Sequence, residues 1–324
     1  MTHTRRIILT AALAALGGMP IAQANDDFSA FPSHPIKILL GAPPGGSTDA
    51  PLRVLAAGVA QILKQPVVVE NRPGVGGAMP AIAMQTARND GYTIGVVWNA
   101  VFRLPYTVGI SWDPATDLSY IIGLTSFEFG TVVQASSPIK SMADFVNAAK
   151  AKPGQITYGT PGIGTVNNLH MERIARMSGI QLTHVPFKGS AETLQAVMGG
   201  QIDAGAETAA WVPLVKSGKL RVIAVWGDSR LPSFPDVPTL KEQGFNLEQV
   251  SRIGLVVPKG TAPAIVAKLH DAFKKAMEQP EYRRALAVYE MTPKYLSSKD
   301  FHKYAVDTIK EEKEAMETLG MQRK

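Results

Sequence analysis

Hydrophobic residues follow two alternating patterns along the chain, short apolar runs and apolar positions at helical spacing. The run Ile36–Leu40 predicts a buried strand, and apolar side chains recur at helical spacing over residues 50–63. Between them lie a Pro-Pro-Gly-Gly turn at residues 43–46 and a Ser-Thr-Asp cap at residues 47–49. This arrangement directs several backbone N–H groups toward one point, which attracts an oxyanion. The alternative is an ordinary strand–helix connection.

The same two patterns continue along the rest of the chain. Further strands are predicted at residues 67–69, 92–98, 130–134, 156–159, 184–187, 202–206, 222–226 and 253–257. Further helices are predicted at residues 78–87, 141–150, 167–177, 191–198, 263–277 and 299–319. Residues 99–112, rich in aromatic and polar groups, are predicted to form a loop. The alternation predicts an α/β protein built on mainly parallel, doubly wound sheets.

A second glycine turn repeats the organisation of the first. The predicted strand 156–159 leads into Thr-Pro-Gly-Ile-Gly-Thr at residues 160–165, and a helix follows. Two such turns, one in each half of the chain, are expected to face each other across a cleft, where small ligands usually bind.

The first 24 residues have the organisation of a secretory signal peptide. Arg5 and Arg6 precede an apolar run over residues 7–16, and small residues end in an A-x-A site at Ala24. The run is too short to cross a membrane, which needs about 20 residues. Cleavage after Ala24 and a periplasmic location are therefore expected, with about 300 residues left for two domains.

Composition and charge exclude several classes of protein. The net charge is +6, and the basic residues are dispersed, so no nucleic-acid-binding face is predicted. The chain contains no cysteine, which excludes a lipid anchor on cysteine and is compatible with a periplasmic domain that relies on its core.

Motifs for catalysis are mostly missing. None of the six histidines has metal-ligand spacing, and the glycine turns lack the third glycine of a dinucleotide site. The segment Gly-Asp-Ser-Arg-Leu at residues 227–231 leaves Ser229 as a weak candidate nucleophile. No metal or cofactor is predicted, and the pattern points away from an enzyme.

Seven segments resemble those of one family, in the same order along the chain. They read FPSHPI at 31–36, PGGSTD at 44–49, VENRPG at 69–74, YGTPGIGT at 158–165, VPFKG at 185–189, GGQID at 199–203 and KSGKLR at 216–221. On these residues the chain resembles the Bug-type solute-binding proteins of tripartite tricarboxylate transporters.

The resemblance implies a type II periplasmic binding protein with two α/β domains and a ligand cleft between them. Residues 25–130 and 253–324 would form domain 1, residues 131–252 would form domain 2, and crossovers would lie near 127–132 and 251–255. The two domains would close over a small carboxylate and deliver it to the permease subunits in the membrane. A monomer without a cofactor is expected.

Departures from the family pattern suggest a ligand larger than a C4 acid. Gly41-Ala42 stands where Pro-Phe is common, Asn168 where His is common, Phe187 where Tyr is common, and Glu207 where Asp is common. We expect a dicarboxylate, aliphatic or aromatic, with Arg103 or Trp98 near its ring or second carboxylate. Asp49 and Glu207 would instead hold the ammonium of an amino acid, and harmless packing of Glu207 at a strand end is a further alternative.

The expected ligand-binding residues come from the two glycine loops and from the ends of three other predicted strands. They are Ala42, Pro44, Gly45, Gly46, Ser47, Thr48, Asp49, Trp98, Asn99, Arg103, Thr160, Gly162, Ile163, Gly164, Thr165, Asn168, Phe187 and Glu207.

Two other functions remain open from the sequence. The same receptor would serve as a sensor if its partner were a membrane kinase and not a permease. A secreted hydrolase using Ser229 is the third possibility, from a different class of protein.

Overall fold

The computed structural model describes residues 30–319, so the predicted signal peptide and its cleavage site lie outside the described residues. From residue 32 onward the described chain belongs to one compact unit. Its eleven strands are β1 (Ile36–Leu40), β2 (Val67–Asn71), β3 (Thr93–Val97), β4 (Leu118–Phe127), β5 (Phe129–Gln134), β6 (Thr157–Thr160), β7 (Thr183–Pro186), β8 (Ala204–Thr208), β9 (Leu220–Val225), β10 (Ser251–Pro258) and β11 (Pro293–Leu296).

Ten α-helices lie among the same described residues. They are α1 (Asp49–Leu63), α2 (Met79–Met84), α3 (Asn99–Thr107), α4 (Met142–Ala151), α5 (Val166–Ser178), α6 (Ser190–Met198), α7 (Val212–Lys216), α8 (Pro263–Met277), α9 (Pro280–Ala287) and α10 (Ser298–Leu319). Short 3₁₀ helices occupy Val75–Gly77 and Ala209–Trp211.

The strands form two sheets. The first has the order β11-β4-β10-β3-β1-β2 and the second the order β7-β6-β8-β5-β9. In the first, β1 is parallel to β2 and β3; in the second, β6 is parallel to β7 and β8. These βα units are the parallel part that the sequence pattern predicts.

The remaining pairs are antiparallel, so the sheets are mixed and not mainly parallel. Strand β10 runs antiparallel to β3 and β4, and β5 runs antiparallel to β8 and β9. The cause is the path of the chain: β4 passes into β5 through the single residue Glu128, and the chain returns to the first sheet as β10. The predicted strand 253–257 is part of β10 and lies in the first sheet, between β3 and β4.

Each sheet packs its own hydrophobic core. In the first, Phe102 and Val97 pack with Phe301 of α10; in the second, Val132 and Leu194 pack with Trp211. Because these side chains are almost wholly removed from water, each contributes about 1.5–3 kcal/mol to folding. The two cores hold the loops between strands and helices in place. The division into domains at residues 130 and 253 stays a prediction.

Helix α3 occupies residues 99–107 of the loop predicted over residues 99–112, and residues 108–112 are non-helical as predicted. Its residues Val101, Phe102 and Leu104 are buried, and Phe102 lies edge-on to Tyr304 of α10 with 6.3 Å between ring centroids. Pro105 is compatible with this helix, because it lies in the last turn and its missing N–H removes only one bond.

Candidate ligand-binding site

A cavity of about 430 Å³ lies among the loops that connect strands and helices of both sheets. The volume is within the range of small-molecule sites, roughly 300–1,000 Å³. Its lining comprises Gly41, Ala42, Pro43, Pro44, Gly46, Ser47, Thr48, Pro73, Gly74, Val75, Gly76, Gly77, Trp98, Asn99, Ala100, Phe127, Phe129, Pro161, Thr165, Val166, Asn167, Phe187, Lys188, Gly189, Ser190, Ala191, Thr208 and Ser251.

Four helices begin at this cavity, two from each sheet. The residues around the first turns of α1 and α3 line it from the first sheet, and those around the first turns of α5 and α6 line it from the second. Each helix carries the equivalent of roughly half a positive charge at its N-terminus, together with backbone N–H groups that have no partner in the helix. The cavity therefore favours an anion.

The loop before α1 offers free hydrogen-bond donors. No hydrogen bond between described residues occupies the backbone N–H of Gly46, Ser47 or Thr48. Gly45 adopts φ of 84°, a conformation that favours glycine, and its own N–H donates to the Asp49 carboxylate at 2.9 Å. This loop therefore presents N–H groups to a ligand while Asp49 fixes its shape.

The N-termini of α1 and α6 approach each other at the cavity, and we call this place the α1/α6 pole. Ser47 Oγ lies 3.3 Å from Thr208 Oγ1, which lies 3.4 Å from Ser190 Oγ. A Cβ atom at Gly189 would lie only 2.9 Å from Pro43 Cγ, so the two loops touch. This pole combines hydroxyl groups with N–H groups from both sheets.

The second helix pair meets at the α3/α5 pole. Arg103 Nη1 donates to the carbonyl oxygen of Gly164 at 2.6 Å, which joins α3 to the loop before α5. A Cβ atom at Gly76 would lie 3.8 Å from the Thr165 methyl carbon and 3.9 Å from the Ala100 Cβ. The two predicted glycine loops thus belong to different poles of one cavity.

Aromatic side chains form much of the remaining wall. The rings of Trp98 and Phe127 meet edge to face with centroids 5.7 Å apart, and Phe127 and Phe129 are 5.8 Å apart. Trp98 Nε1 donates to the Gly76 carbonyl oxygen at 3.3 Å, and Phe187 lines the cavity from the second sheet. This wall suits an apolar or planar ligand body.

Charged side chains are scarce in the cavity. Among the described residues that line it, Lys188 alone is charged, and it is exposed. The N-termini of four helices and one lysine therefore face the cavity, and no carboxylate lies among its described lining residues.

Asp49 stabilises the loop before α1 and does not line the cavity. Its carboxylate accepts hydrogen bonds from Arg53 Nε at 3.0 Å, Asn71 Nδ2 at 2.8 Å and the Gly45 N–H. Burial opposes its ionisation, but these donors outweigh burial and hold the pKa of Asp49 below its usual range.

Glu207 is fully buried behind the cavity wall. Neither of its carboxylate oxygens has a hydrogen-bond partner among the described residues. Burial raises the pKa of Glu207 to about 7, against a smaller opposing effect of the nearby Ser190 and Thr193 hydroxyls and the Thr208 N–H. Its position at the end of β8 matches the alternative that it packs at a strand end.

Arg103 is also buried outside the cavity lining. Its side chain is 2% exposed, Nε and Nη2 donate to Glu312 at 2.6 and 2.8 Å, and Nη1 is held by Gly164. The structure thus places Trp98, but not Arg103, at the cavity wall.

The structure brings half of the expected site residues together around the cavity. Those in its lining are Ala42, Pro44, Gly46, Ser47, Thr48, Trp98, Asn99, Thr165 and Phe187. Those outside the lining are Gly45, Asp49, Arg103, Thr160, Gly162, Ile163, Gly164, Asn168 and Glu207.

Several residues of the second set shape the second glycine loop. Thr160 Oγ1 donates to the Gly162 carbonyl oxygen at 2.9 Å, and Asn168 Oδ1 accepts from the Gly164 N–H at 3.0 Å. Ile163 is 73% exposed at the tip of this loop. These contacts set the direction of α5 and its N-terminus.

Sequence reasoning missed the lining that comes from other loops. Phe127, Phe129 and Ser251 lie where the chain passes between the sheets, and Ser190 and Thr208 lie at the α1/α6 pole. The Ser190 loop had a usable signal, since Phe-Lys-Gly-Ser directly precedes a predicted helix. The other four residues follow only from tertiary structure.

Ser229 lacks the surroundings of a nucleophile. It is exposed, and its hydroxyl donates to the adjacent Asp228 carboxylate at 2.8 Å. No histidine is hydrogen-bonded to it within the part of the chain that the structure describes.

The chain crosses twice between two mixed sheets, and a cavity lies among the loops of the two sheets. These features define the chain as a type II periplasmic binding protein. The chain belongs to the tripartite tricarboxylate transporter receptor family, whose sequence profile matches residues 52–321. The expected fold class and the family resemblance are both confirmed. Receptors of this family bind small ligands and work with membrane permeases; the family and the fold are those of solute-binding proteins.

Individual relatives agree with this assignment. The "UPF0065 protein in gbd 5'region" of Cupriavidus necator is 51% identical over 315 residues, which cover 97% of this chain and 95% of that protein. A solved structure of a periplasmic transporter is 30% identical with a TM-score of 0.85, covering 90% of this chain and 99% of the other. R. palustris Rpa4515, solved with adipate, is 28% identical with a TM-score of 0.83, covering 90% and 99%.

No helix among residues 30–319 combines the length and the apolar character that a membrane span requires.

Proposed function

We propose that the protein is a periplasmic receptor that captures a small dicarboxylate by closure and delivers it to the permease of a tripartite transporter. One observation carries the proposal: four helix N-termini, two from each sheet, converge on a single cavity that has no acidic side chain in its described lining. A ligand that touches both sheets stabilises their closed arrangement, which the permease recognises.

The two poles support a ligand with two anionic groups. N–H and hydroxyl groups at the α1/α6 pole take one carboxylate, and the N-termini at the α3/α5 pole take the other. Aromatic rings in the cavity wall favour an extended or aromatic ligand body, longer than that of a C4 acid. The presence of adipate, a linear dicarboxylate, in R. palustris Rpa4515 is consistent with this ligand class.

An amino acid is a poorer fit. Its ammonium group needs a carboxylate, yet Asp49 is bonded to Arg53 and Asn71, and Glu207 is buried away from the cavity. Lys188, the charged residue of the lining, would repel an ammonium group.

Export by the predicted signal peptide, cleavage after Ala24 and action as a monomer complete the proposal. Export is tested by fractionating cells that express the full chain. A mature protein in the periplasmic fraction, starting after Ala24 by mass, is expected. Retention in the cytoplasm would contradict it.

A thermal-shift screen tests the ligand class. The mature protein is unfolded and refolded to remove bound ligand, then mixed with succinate, adipate, terephthalate, benzoate, glutamate and leucine. A ligand at about 100 times its Kd adds about 2.7 kcal/mol of stability. We expect shifts with adipate or terephthalate above that with succinate, and none with leucine. Shifts confined to amino acids, or no shift from refolded protein, would overturn the proposal.

A further inference from the structure

Ser251 occupies a particular place in the cavity wall. It is the first residue of β10 and pairs directly with Phe127, the last residue of β4, where the chain crosses between the sheets. Directly paired residues of antiparallel strands share a face of the sheet, and both of these line the cavity. Ser251 therefore belongs to the same part of the wall as Phe127 and Trp98.

The hydroxyl of Ser251 is unsatisfied. The residue is 1% exposed, and its Oγ has no hydrogen-bond partner among the described residues. The neighbouring Ser126 does not supply one, because its own Oγ donates to the Ser251 carbonyl oxygen at 3.2 Å. A buried hydroxyl without a partner is destabilising, and such groups in native proteins usually meet a ligand or an ordered water.

Other polar groups of this wall are already engaged. Asn99, which also lines the cavity, donates from Nδ2 to the Val250 carbonyl oxygen at 3.3 Å and accepts from the Tyr304 hydroxyl at 2.8 Å. Phe127 and Phe129 offer only rings. A polar substituent on the ligand would find its partner here in Ser251.

We infer that Ser251 is a ligand-binding residue that recognises a hydroxyl or carbonyl oxygen on the carbon skeleton between the two carboxylates. The inference rests on the proposed function, since it takes the carboxylates to lie at the poles. It narrows the ligand to a substituted dicarboxylate, such as a hydroxy or oxo acid. One neutral hydrogen bond in a buried site corresponds to about a tenfold gain in affinity.

Calorimetric titration with matched acids tests this role. The pairs are adipate with 3-hydroxyadipate and terephthalate with 2-hydroxyterephthalate, each titrated into the wild type, Ser251→Ala and Ser126→Ala. We expect the wild type to bind one hydroxylated acid about tenfold more tightly than its parent. Ser251→Ala should lose this preference and keep the affinity for the parent acid, while Ser126→Ala should keep both.

Two further readouts separate binding from structure. Ser251→Ala without ligand should melt no lower than the wild type, because it removes an unsatisfied hydroxyl. If that variant fails to fold, Ser251→Cys replaces it, because its side chain has a similar shape but a thiol that hydrogen-bonds only weakly. Equal affinity of the wild type for both acids of each pair, or an equal loss for both acids in Ser251→Ala, would overturn the inference but leave the receptor function standing. Failure of the wild type to bind any acid would overturn both.

Discussion

The guanidinium of Arg103 forms a two-pronged ion pair with the carboxylate of Glu312, with Nε–Oε2 at 2.6 Å and Nη2–Oε1 at 2.8 Å. The pair joins α3 to α10, and the third arm of Arg103 reaches Gly164 in the loop before α5. A residue that the sequence suggested as a ligand contact therefore ties three segments together beside the cavity.

Removing one partner of this pair should be severely destabilising. Arg103→Met leaves the Glu312 carboxylate buried without a counter-charge, so a loss of about 3–5 kcal/mol in the free energy of unfolding is expected from urea denaturation. The matched control is Arg284→Met, which breaks the exposed pair with Glu281 and should cost below about 1 kcal/mol. Adding Glu312→Leu to Arg103→Met should recover much of the loss; equal effects at the two sites would contradict the prediction.

Glu207 should make stability depend on pH. The unfolded chain releases this proton near the ordinary pKa of 4.5, whereas the folded protein keeps it up to about pH 7. Between these values the folded state binds one proton more, so the free energy of unfolding falls as pH rises and levels off above pH 7. Glu207→Gln removes this slope, with a gain of up to about 3 kcal/mol at pH 8 and little change at pH 4.

Denaturation curves of both proteins between pH 4 and pH 8 provide the measurement. Glu128, whose pKa burial also raises to about 7, is present in both proteins, so their difference isolates Glu207. A difference that does not vary with pH would show that folding leaves the pKa of Glu207 unchanged, and would contradict the prediction.

Substitution of two adjacent glycines by alanine should have different effects on stability and on ligand affinity. At Gly45, φ of 84° makes any side chain strained, so Gly45→Ala should lower the free energy of unfolding by about 1 kcal/mol. A Cβ atom at Gly46 would have no atom within 4 Å, so Gly46→Ala should leave Tm unchanged. Its methyl group would occupy space in the cavity beside free N–H groups, and the affinity for dicarboxylates should fall about tenfold or more. A Tm loss at Gly46 without a change in affinity would be the opposite result.

Lys188 should act on the rate of ligand capture. It is exposed at the cavity and carries the only charge among the described lining residues, so it attracts an anion before contact. Stopped-flow binding by Lys188→Gln should be slower at low salt and less sensitive to added salt, while Tm stays unchanged. Lys299→Gln, an exposed lysine of α10 outside the lining, should behave as the wild type; similar slowing in both would indicate a general charge effect.

Local patterns of apolar and polar residues were sufficient to predict most of the βα units of the fold. The apolar run of β1 and the capped helix α5 follow from side chains within a few residues of one another. Helix α3 was not predicted, because its apolar side chains are buried against α10, some 200 residues away. Strands β4 and β11 were not predicted either; β4 is almost wholly buried, and β11 is a four-residue strand at the edge of the first sheet.

The site shows the same limit. The N–H groups of residues 46–48 can be read from a turn and a cap, because the donors belong to one short segment. The positions of the Arg103 and Glu207 side chains cannot be predicted in this way, because an ionisable side chain in such a segment is equally compatible with ligand contact and with burial. Only Glu312 on α10 and the packing around β8 decide between them.

Because the four helix N-termini are divided between two sheets, a ligand reaches all of them only when it contacts both sheets at the same time. Neither half of the molecule holds more than two of them, so either half alone would compete poorly with water for a dicarboxylate. If the two halves close over the ligand as proposed, the Kd depends on both closure and the pocket, and a substitution far from the cavity that favours the open form would weaken the binding of every ligand by the same factor. A uniform loss across ligands would therefore identify changes in closure, and an unequal loss would identify changes in contact.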